Sequence, residues 1–216
     1  MGKLSNLLAR TIVVIGGLVV VSIGVSILLC CNLGTDPVTV FNDGLSSSIN
    51  TTFGTAQIIT SLFVLILVVI IKKSYINIAT ILSAFILGPM IDIASSVVSQ
   101  FISNEIPLLI RIGMCFVAVV ILSVGVALYI SPSLGIGATD IIPEILSELL
   151  HIQYRYVRVT VDIMFFVSGY FLGGVIGIGT VIAAVCTGPL IQLFKPYANR
   201  FTIFFVNLVD RQLQKP

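Results

Sequence analysis

Apolar residues fall along the chain in long blocks, and polar residues punctuate them. Six blocks stand out, at about 11–31, 56–71, 76–98, 112–130, 157–172 and 178–194. A helix rises 1.5 Å per residue, so about 20 apolar residues cross a hydrocarbon layer of about 30 Å. Each block therefore predicts a membrane-spanning helix, the second and fifth being the short ones.

Two intervening stretches repeat apolar residues at helical spacing but are too short to cross. In "PVTVFNDGLSSSIN", Val38, Phe41, Leu45 and Ile49 form a weak stripe. In "DIIPEILSELLHIQ", Ile141, Ile142, Ile145, Leu146, Leu149 and Leu150 form a stronger one, and Glu144, Glu148 and His151 lie off it. Both predict a short interfacial or re-entrant helix. A last stretch, "RFTIFFVNLVDRQLQ", predicts a separate helix over 196–216 on the cytoplasmic membrane surface. No flexible linker divides the chain, which is expected to form one structural domain.

Composition agrees with the pattern. Of 216 residues, 57% are hydrophobic and 9% charged, and mean hydropathy is +1.17. A soluble domain carries about 25% charged residues, so the lipid bilayer is this chain's first partner. The net charge of +2, without a basic run or recognition motif, gives no reason to expect nucleic acid. The first block is longer than a signal peptide's apolar region and lacks a small-residue cleavage site, so it reads as a retained span.

The charges also orient the chain. Lys3 and Arg10 precede the first block, and Lys72 and Lys73 join the second to the third. Arg155 and Arg158 precede the fifth, Lys195 and Arg200 follow the sixth, and Arg211 and Lys215 lie near the end. Placing both termini in the cytoplasm puts all of these on that side, as the positive-inside rule demands. The outer connections carry Asp36, Asp43 and Glu105, and Arg111 is the exception. It has Asp92 as a prospective partner across the third and fourth spans.

The chain repeats itself. Ser22-Ile-Gly24-Val25 matches Ser123-Val-Gly125-Val126, and Leu33-Gly34 matches Leu134-Gly135, at an offset of 101. "NIATILSAFILGPMIDI" matches "GIGTVIAAVCTGPLIQL" at an offset of 100, sharing Thr80/Thr180, Gly88/Gly188 and Pro89/Pro189. One register over half a chain signals duplication. The expected fold is an all-α polytopic membrane protein. It has two repeats, 1–104 and 105–195, each with three spans and a short helix after the first. Three is odd, so the second repeat should be inverted relative to the first, as in many secondary transporters.

"LGTDP", "GIGATDIIPEIL", "RVTVD" and "GYFLGGVIGIGTVIAAVCTGPLIQ" together resemble the YitT/YczE-type integral membrane proteins, over most of the chain. That resemblance implies a bacterial inner-membrane protein. The family often has Gly-Pro-Arg-Asp near the second loop and Arg-x-x-x-Glu in the fifth span. This chain has Gly137-Ala138-Thr139-Asp140 and Arg158-x-x-x-Asp162 in their place.

The candidate site residues are polar groups set in apolar surroundings. Asp36 precedes Pro37 and has two readings: the N-cap of the first short helix, or a group that faces a water-filled crevice and meets a cation or amine. Asp140 heads the second short helix, with Thr139 as a prospective cap. Arg158 and Asp162 lie one helical turn apart inside the fifth block, where an ionisable pair is costly unless it is paired or wet. At an offset of 100 their counterparts are Ile58 and Leu62, so one repeat alone would supply this pair. Gln57 is a further polar candidate. Gly88-Pro89 and Gly188-Pro189 predict helix breaks at corresponding places, which can gate a transporter. "GGVIGIG" reads as a tight turn with close helix contact.

Cys30, Cys31, Cys115 and Cys186 lack metal-site spacing, and His151 stands alone, so no metal, cofactor or enzymatic activity is expected. The expected function is transport of a small polar solute, zwitterionic or anionic, by alternating access. The alternative is an accessory or regulatory membrane protein, or a solute-binding subunit, acting through a membrane partner. A homo-oligomer fits either reading.

Overall fold

A computed structural model describes residues 2–102 and 106–213, with side chains from 5 to 210. Glu105, Lys215 and the expected repeat boundary at 104/105 lie outside the described residues. So do the side chains of Lys3 and Arg211.

The described residues form eight α-helices: α1 (Gly2–Cys31), α2 (Pro37–Ser48), α3 (Phe53–Lys72), α4 (Ile78–Val98), α5 (Leu108–Ile130), α6 (Ile141–Leu150), α7 (Tyr154–Phe171) and α8 (Ile178–Leu213). A 3-10 turn, Lys73–Tyr75, follows α3, and another, Ala138–Asp140, leads into α6.

Among the described residues, five helices are long and apolar enough to cross a membrane: Ser5–Cys31, Phe53–Tyr75, Ile78–Val98, Leu108–Ile130 and Ile178–Asp210. The expected sixth, α7, falls outside that group. It has 18 residues, and Arg155, Arg158 and Asp162 all lie within it.

The surface is the reverse of a soluble protein's. Phe63, Ile70, Leu109 and Phe171 are 63%, 75%, 79% and 81% exposed. Ser26, Asn42, Gln57, Ser61, Thr80 and Ser123 are buried. Apolar side chains outside and hydrogen-bonded polar ones inside are what a hydrocarbon solvent selects.

The main core forms where α1 packs against α5, α4 and α8, through Val14, Leu18, Val21 and Leu28 on α1 and Ile91, Val119, Leu122 and Ala183 on the others. A second cluster of Val64, Val68, Ile141 and Ile145 joins α3 to α6, while α2 packs against α7 and α3.

Contacts recur in exchanged pairs. α1 and α5 cross antiparallel where a Cβ on Gly24 would lie 2.7 Å from the Leu122 nitrogen. A Cβ on Gly125 would lie 2.5 Å from the Val21 nitrogen. Only glycine permits so close an approach. The Gly179 amide donates to the Leu33 carbonyl (2.8 Å), and the Ala79 amide donates to the Leu134 carbonyl (3.1 Å). Asn77 and Gly177 each donate their amide to the threonine three residues on, Thr80 and Thr180, at 3.4 Å.

Left-handed backbone recurs likewise, at Asn32 and Ser133 (φ 50° and 56°), Gly34 and Gly135 (89° and 114°), and Asn50 and His151 (53° and 54°). These residues end the helices before them and turn the chain.

Three expectations change. Pro89 and Pro189 do not break their helices: α4 and α8 run through them, and α8 runs through Pro196 as well. Both of the first two prolines are exposed on the outer surface. There a missing backbone donor disturbs one turn while packing on the opposite face holds the rest. Gly88 is a packing position, its carbonyl oxygen lying against Gly54 of α3. The separate terminal helix expected over 196–216 is the second half of α8. It is tied back by hydrogen bonds from Ser5 to Asp210 and between Ser131 and Thr202. Finally, Asp92 and Arg111 do not pair. Asp92 accepts the Gly54 amide (2.8 Å) at the start of α3. Arg111 donates to the Cys31 and Asn32 carbonyls at the end of α1, where a cation complements the helix dipole.

Candidate functional site

A cavity of about 180 Å3 lies among the centres of α1, α4 and α5, beside Leu18, Val21, Leu87 and Leu122. The N-terminal ends of the two short helices both reach it: Asp36, Val38 and Thr39 from α2, and Gly137, Ala138, Thr139 and Asp140 from α6. Gln57, Ser61, Ser83, Tyr129, Arg158 and Thr187 complete its polar lining.

Asp36 holds both of its expected roles geometrically. Its backbone is extended (φ −65°, ψ 160°) and Pro37 opens α2. Its carboxylate accepts the Thr39 amide at 3.3 Å and the Thr39 hydroxyl at 2.7 Å, and it also faces the cavity.

Asp140 differs from the expectation. It stands in helical conformation at the start of α6, and neither it nor Thr139 makes a side-chain cap there. Its carboxylate reaches across instead, accepting from Arg158 Nη1 at 2.8 Å and from the Tyr129 hydroxyl at 3.0 Å. The preceding 3-10 turn is pinned by the Ala138 amide donating to Ser83 Oγ (3.0 Å).

Arg158 pairs with Asp162 one turn on, from Nε to Oδ2 at 3.0 Å, so its guanidinium is shared by two carboxylates. All three side chains are about one-third exposed, at 34%, 34% and 28% for Arg158, Asp140 and Asp162.

Gln57 sits in a buried network. Asn42 donates to it, Thr60 donates to Asn42 (2.6 Å), and Gln57 donates to Ser61 (3.4 Å). This network changes the comparison of the halves. Phe53 and Tyr154, which open α3 and α7, are 101 apart, and Ile78 and Ile178, which open α4 and α8, are 100 apart. One residue is lost in the connection after α7. The counterparts of Arg158 and Asp162 are therefore Gln57 and Ser61, not Ile58 and Leu62. The Gln57–Ser61 hydrogen bond occupies the place of the Arg158–Asp162 ion pair, so both halves supply polar groups to the cavity.

The expected helix-break residues lie apart: of Pro37, Gly88, Pro89, Gly188 and Pro189, none is in the cavity lining. Residues the sequence did not single out are Thr39, Asn42, Ser61, Tyr129 and Thr187. The Thr187 hydroxyl oxygen is buried without a hydrogen-bond partner, and it is alone in this among the described residues.

Away from the cavity, Glu148 of α6 accepts from Lys72 and Tyr75 at the end of α3. These hydrogen bonds hold its carboxyl below the usual carboxylate range. Among the described residues, no three His, Cys, Asp or Glu side chains converge as metal ligands would. The polar set can bind, orient and exchange protons with a small solute.

An all-helical chain with apolar spans outside and a polar cavity within is a multi-pass membrane protein. It belongs to the family described as "Family of unknown function (DUF6198)", which it matches over residues 8–196. It is 27% identical over 186 residues to the "Uncharacterized protein YyaS" of Bacillus subtilis, covering 85% of this chain and 91% of that one. It is 23% identical over 181 residues to the "Uncharacterized membrane protein YczE" of the same organism, covering 83% and 82%. An "Uncharacterized protein" of Haemophilus influenzae is 25% identical over 175 residues, covering 81% and 78%. The YitT/YczE-type resemblance read from the motifs is thus borne out. No solved structure is significantly similar to the chain.

Proposed function

We propose that this protein transports a small polar solute across a bacterial inner membrane by alternating access between two inverted repeats. Its termini are cytoplasmic, and α7 is the sixth span, with Arg158 at the cavity and Asp162 paired to it. The observation that carries this reading is the meeting of two half-length helices, by their N-terminal ends, at a polar cavity level with the middle of the spans. Secondary transporters place their sites in this way, because backbone that leaves the helix at membrane depth is tolerated only where it lines protein or water.

The exchanged pairs, Gly24–Leu122 with Gly125–Val21 and Leu33–Gly179 with Leu134–Ala79, support a two-fold relation. Since α1 and α5 are antiparallel, its axis would lie in the membrane plane. The left-handed turns at Asn32–Gly34 and Ser133–Gly135 would be the moving parts, each docked on the first turn of a helix from the other half. The role is binding and passage, not bond-making.

Proteoliposomes containing the purified protein test this. Uptake of a polar solute that is lost in Arg158→Gln is the expected result. Stable co-purification with another membrane protein, with no uptake of any solute, would favour an accessory role.

A further inference from the structure

We propose, building on that transport reading, that the cavity takes a small monovalent organic cation whose ammonium group sits between Asp36 and Asp140.

The charge count at the cavity leads there. Two carboxylates, Asp36 and Asp140, line the cavity with one guanidinium, Arg158, and a third carboxylate, Asp162, stands beside it as the second partner of Arg158. Arg158 already gives one donor to each of two carboxylates, so an incoming anion would have to displace one and then face the others. The N-terminal ends of α2 and α6 each contribute about half a positive charge, but the Asp36 carboxylate has taken the Thr39 donors. Three negatives, one positive and two half-positives leave a balance near −1, which one monovalent cation neutralises.

Asp36 makes no ion pair within salt-bridge distance among the described residues, its hydrogen-bond partner being Thr39. It is the carboxylate with most to gain from a cation. The Thr187 hydroxyl, buried and unpartnered on the same wall, offers an acceptor. The wall also mixes hydroxyls and the Gln57 amide with hydrocarbon from Leu18, Val21, Leu87 and Leu122. A bare metal cation needs oxygen on all sides, whereas an alkylammonium ion can use carboxylates and hydrocarbon in the same lining.

Two other pockets carry the same sign. A pocket of about 500 Å3 toward the α1 C-terminal end includes Asp43 and Asp92 in its lining and no lysine or arginine. At the opposite end, a pocket lined by Tyr75, Glu144, Ser147, Glu148 and Tyr154 is also acidic, although Lys72 pairs with Glu148 at its edge. Acidic pockets concentrate cations and repel anions. The zwitterionic or anionic solute expected from the mixed charges is thereby replaced by a cationic one.

The test is thermal unfolding of the detergent-purified full chain. The probes are tetramethylammonium, ethanolamine and butylamine as chlorides, against sodium acetate and lactate at matched ionic strength. A ligand that binds only the folded state raises Tm. The expected result is a rise of about 3 °C or more with at least one ammonium probe and none with the carboxylates. Asp36→Asn, which keeps the capping acceptor, should fold normally and weaken that ammonium's binding about tenfold. Stabilisation by a carboxylate, silence from every ammonium probe, or an undiminished shift in Asp36→Asn would overturn the proposal. Flux is read separately. Carboxylate uptake in liposomes would refute the cation while sparing transport; ammonium binding without any uptake would refute transport while sparing the cation.

Discussion

Arg158 is the most constrained residue at the site, because its removal leaves two carboxylates facing each other across the space it held. Arg158→Gln should destabilise the protein by about 2 kcal/mol, the exposure of the group to the cavity reducing the larger cost of a fully buried pair. Thermal unfolding in detergent reads this as a fall in Tm. Restoring neutrality with Asp140→Asn and Asp162→Asn in the same chain should recover most of it. If the triple variant is no better than Arg158→Gln, the ion pairs are not the reason the arginine is there. Asp36 separates capping from charge: Asp36→Ala should lose about 1 kcal/mol of α2 stability, and Asp36→Asn only a few tenths.

Four of these residues were legible in the sequence because an ionisable group in an apolar block is costly enough to mark itself. Tyr129, Asn42 and Thr187 were not, since a neutral hydroxyl or amide carries no such cost and can satisfy itself against the helix backbone. The Gln57–Arg158 correspondence was hidden by one residue. Aligning the conserved-looking Gly-Pro stretch fixes an offset of 100, while the preceding hairpin keeps 101.

At the scale of elements, the crossing of α1 and α5 holds the main core together. Leucine in place of Gly24 or Gly125 would have to push the partner backbone away, so each substitution should lower Tm by an amount corresponding to about 1–3 kcal/mol. The two sites are related by exchange, so the losses should be similar; a large loss at one and none at the other would argue that the crossing is not shared equally.

The prolines of α4 and α8 lead to an opposite expectation. Their helices are continuous, so Pro89→Ala and Pro189→Ala, which restore a helix hydrogen bond, should leave solute flux within about twofold. Abolished flux in either would return these residues to a gating role. The helices were readable from blocks of apolar residues and from caps such as Asp36-Pro37. The continuity of α8 was not, because proline propensity speaks for one turn and tertiary packing decides whether the helix survives it.

At the scale of the molecule, the distribution of polarity was set by composition: a chain with 9% charge must face lipid, and its serines, threonines and amides turn inward. The sequence could not show that the two short helices begin at one cavity, since no local pattern encodes the distance between residues a hundred positions apart.

Asn50 and His151 decide the arrangement. Both are exposed left-handed residues that end the short helices α2 and α6, and in an inverted pair they emerge on opposite sides of the bilayer. The measurement is labelling of single cysteines at these two positions by a membrane-impermeant maleimide. It uses intact and opened cells expressing a chain whose four native cysteines have been replaced. The account predicts that the cysteine at 50 reacts in intact cells and the one at 151 only after opening. Reaction of both from the same side would contradict it.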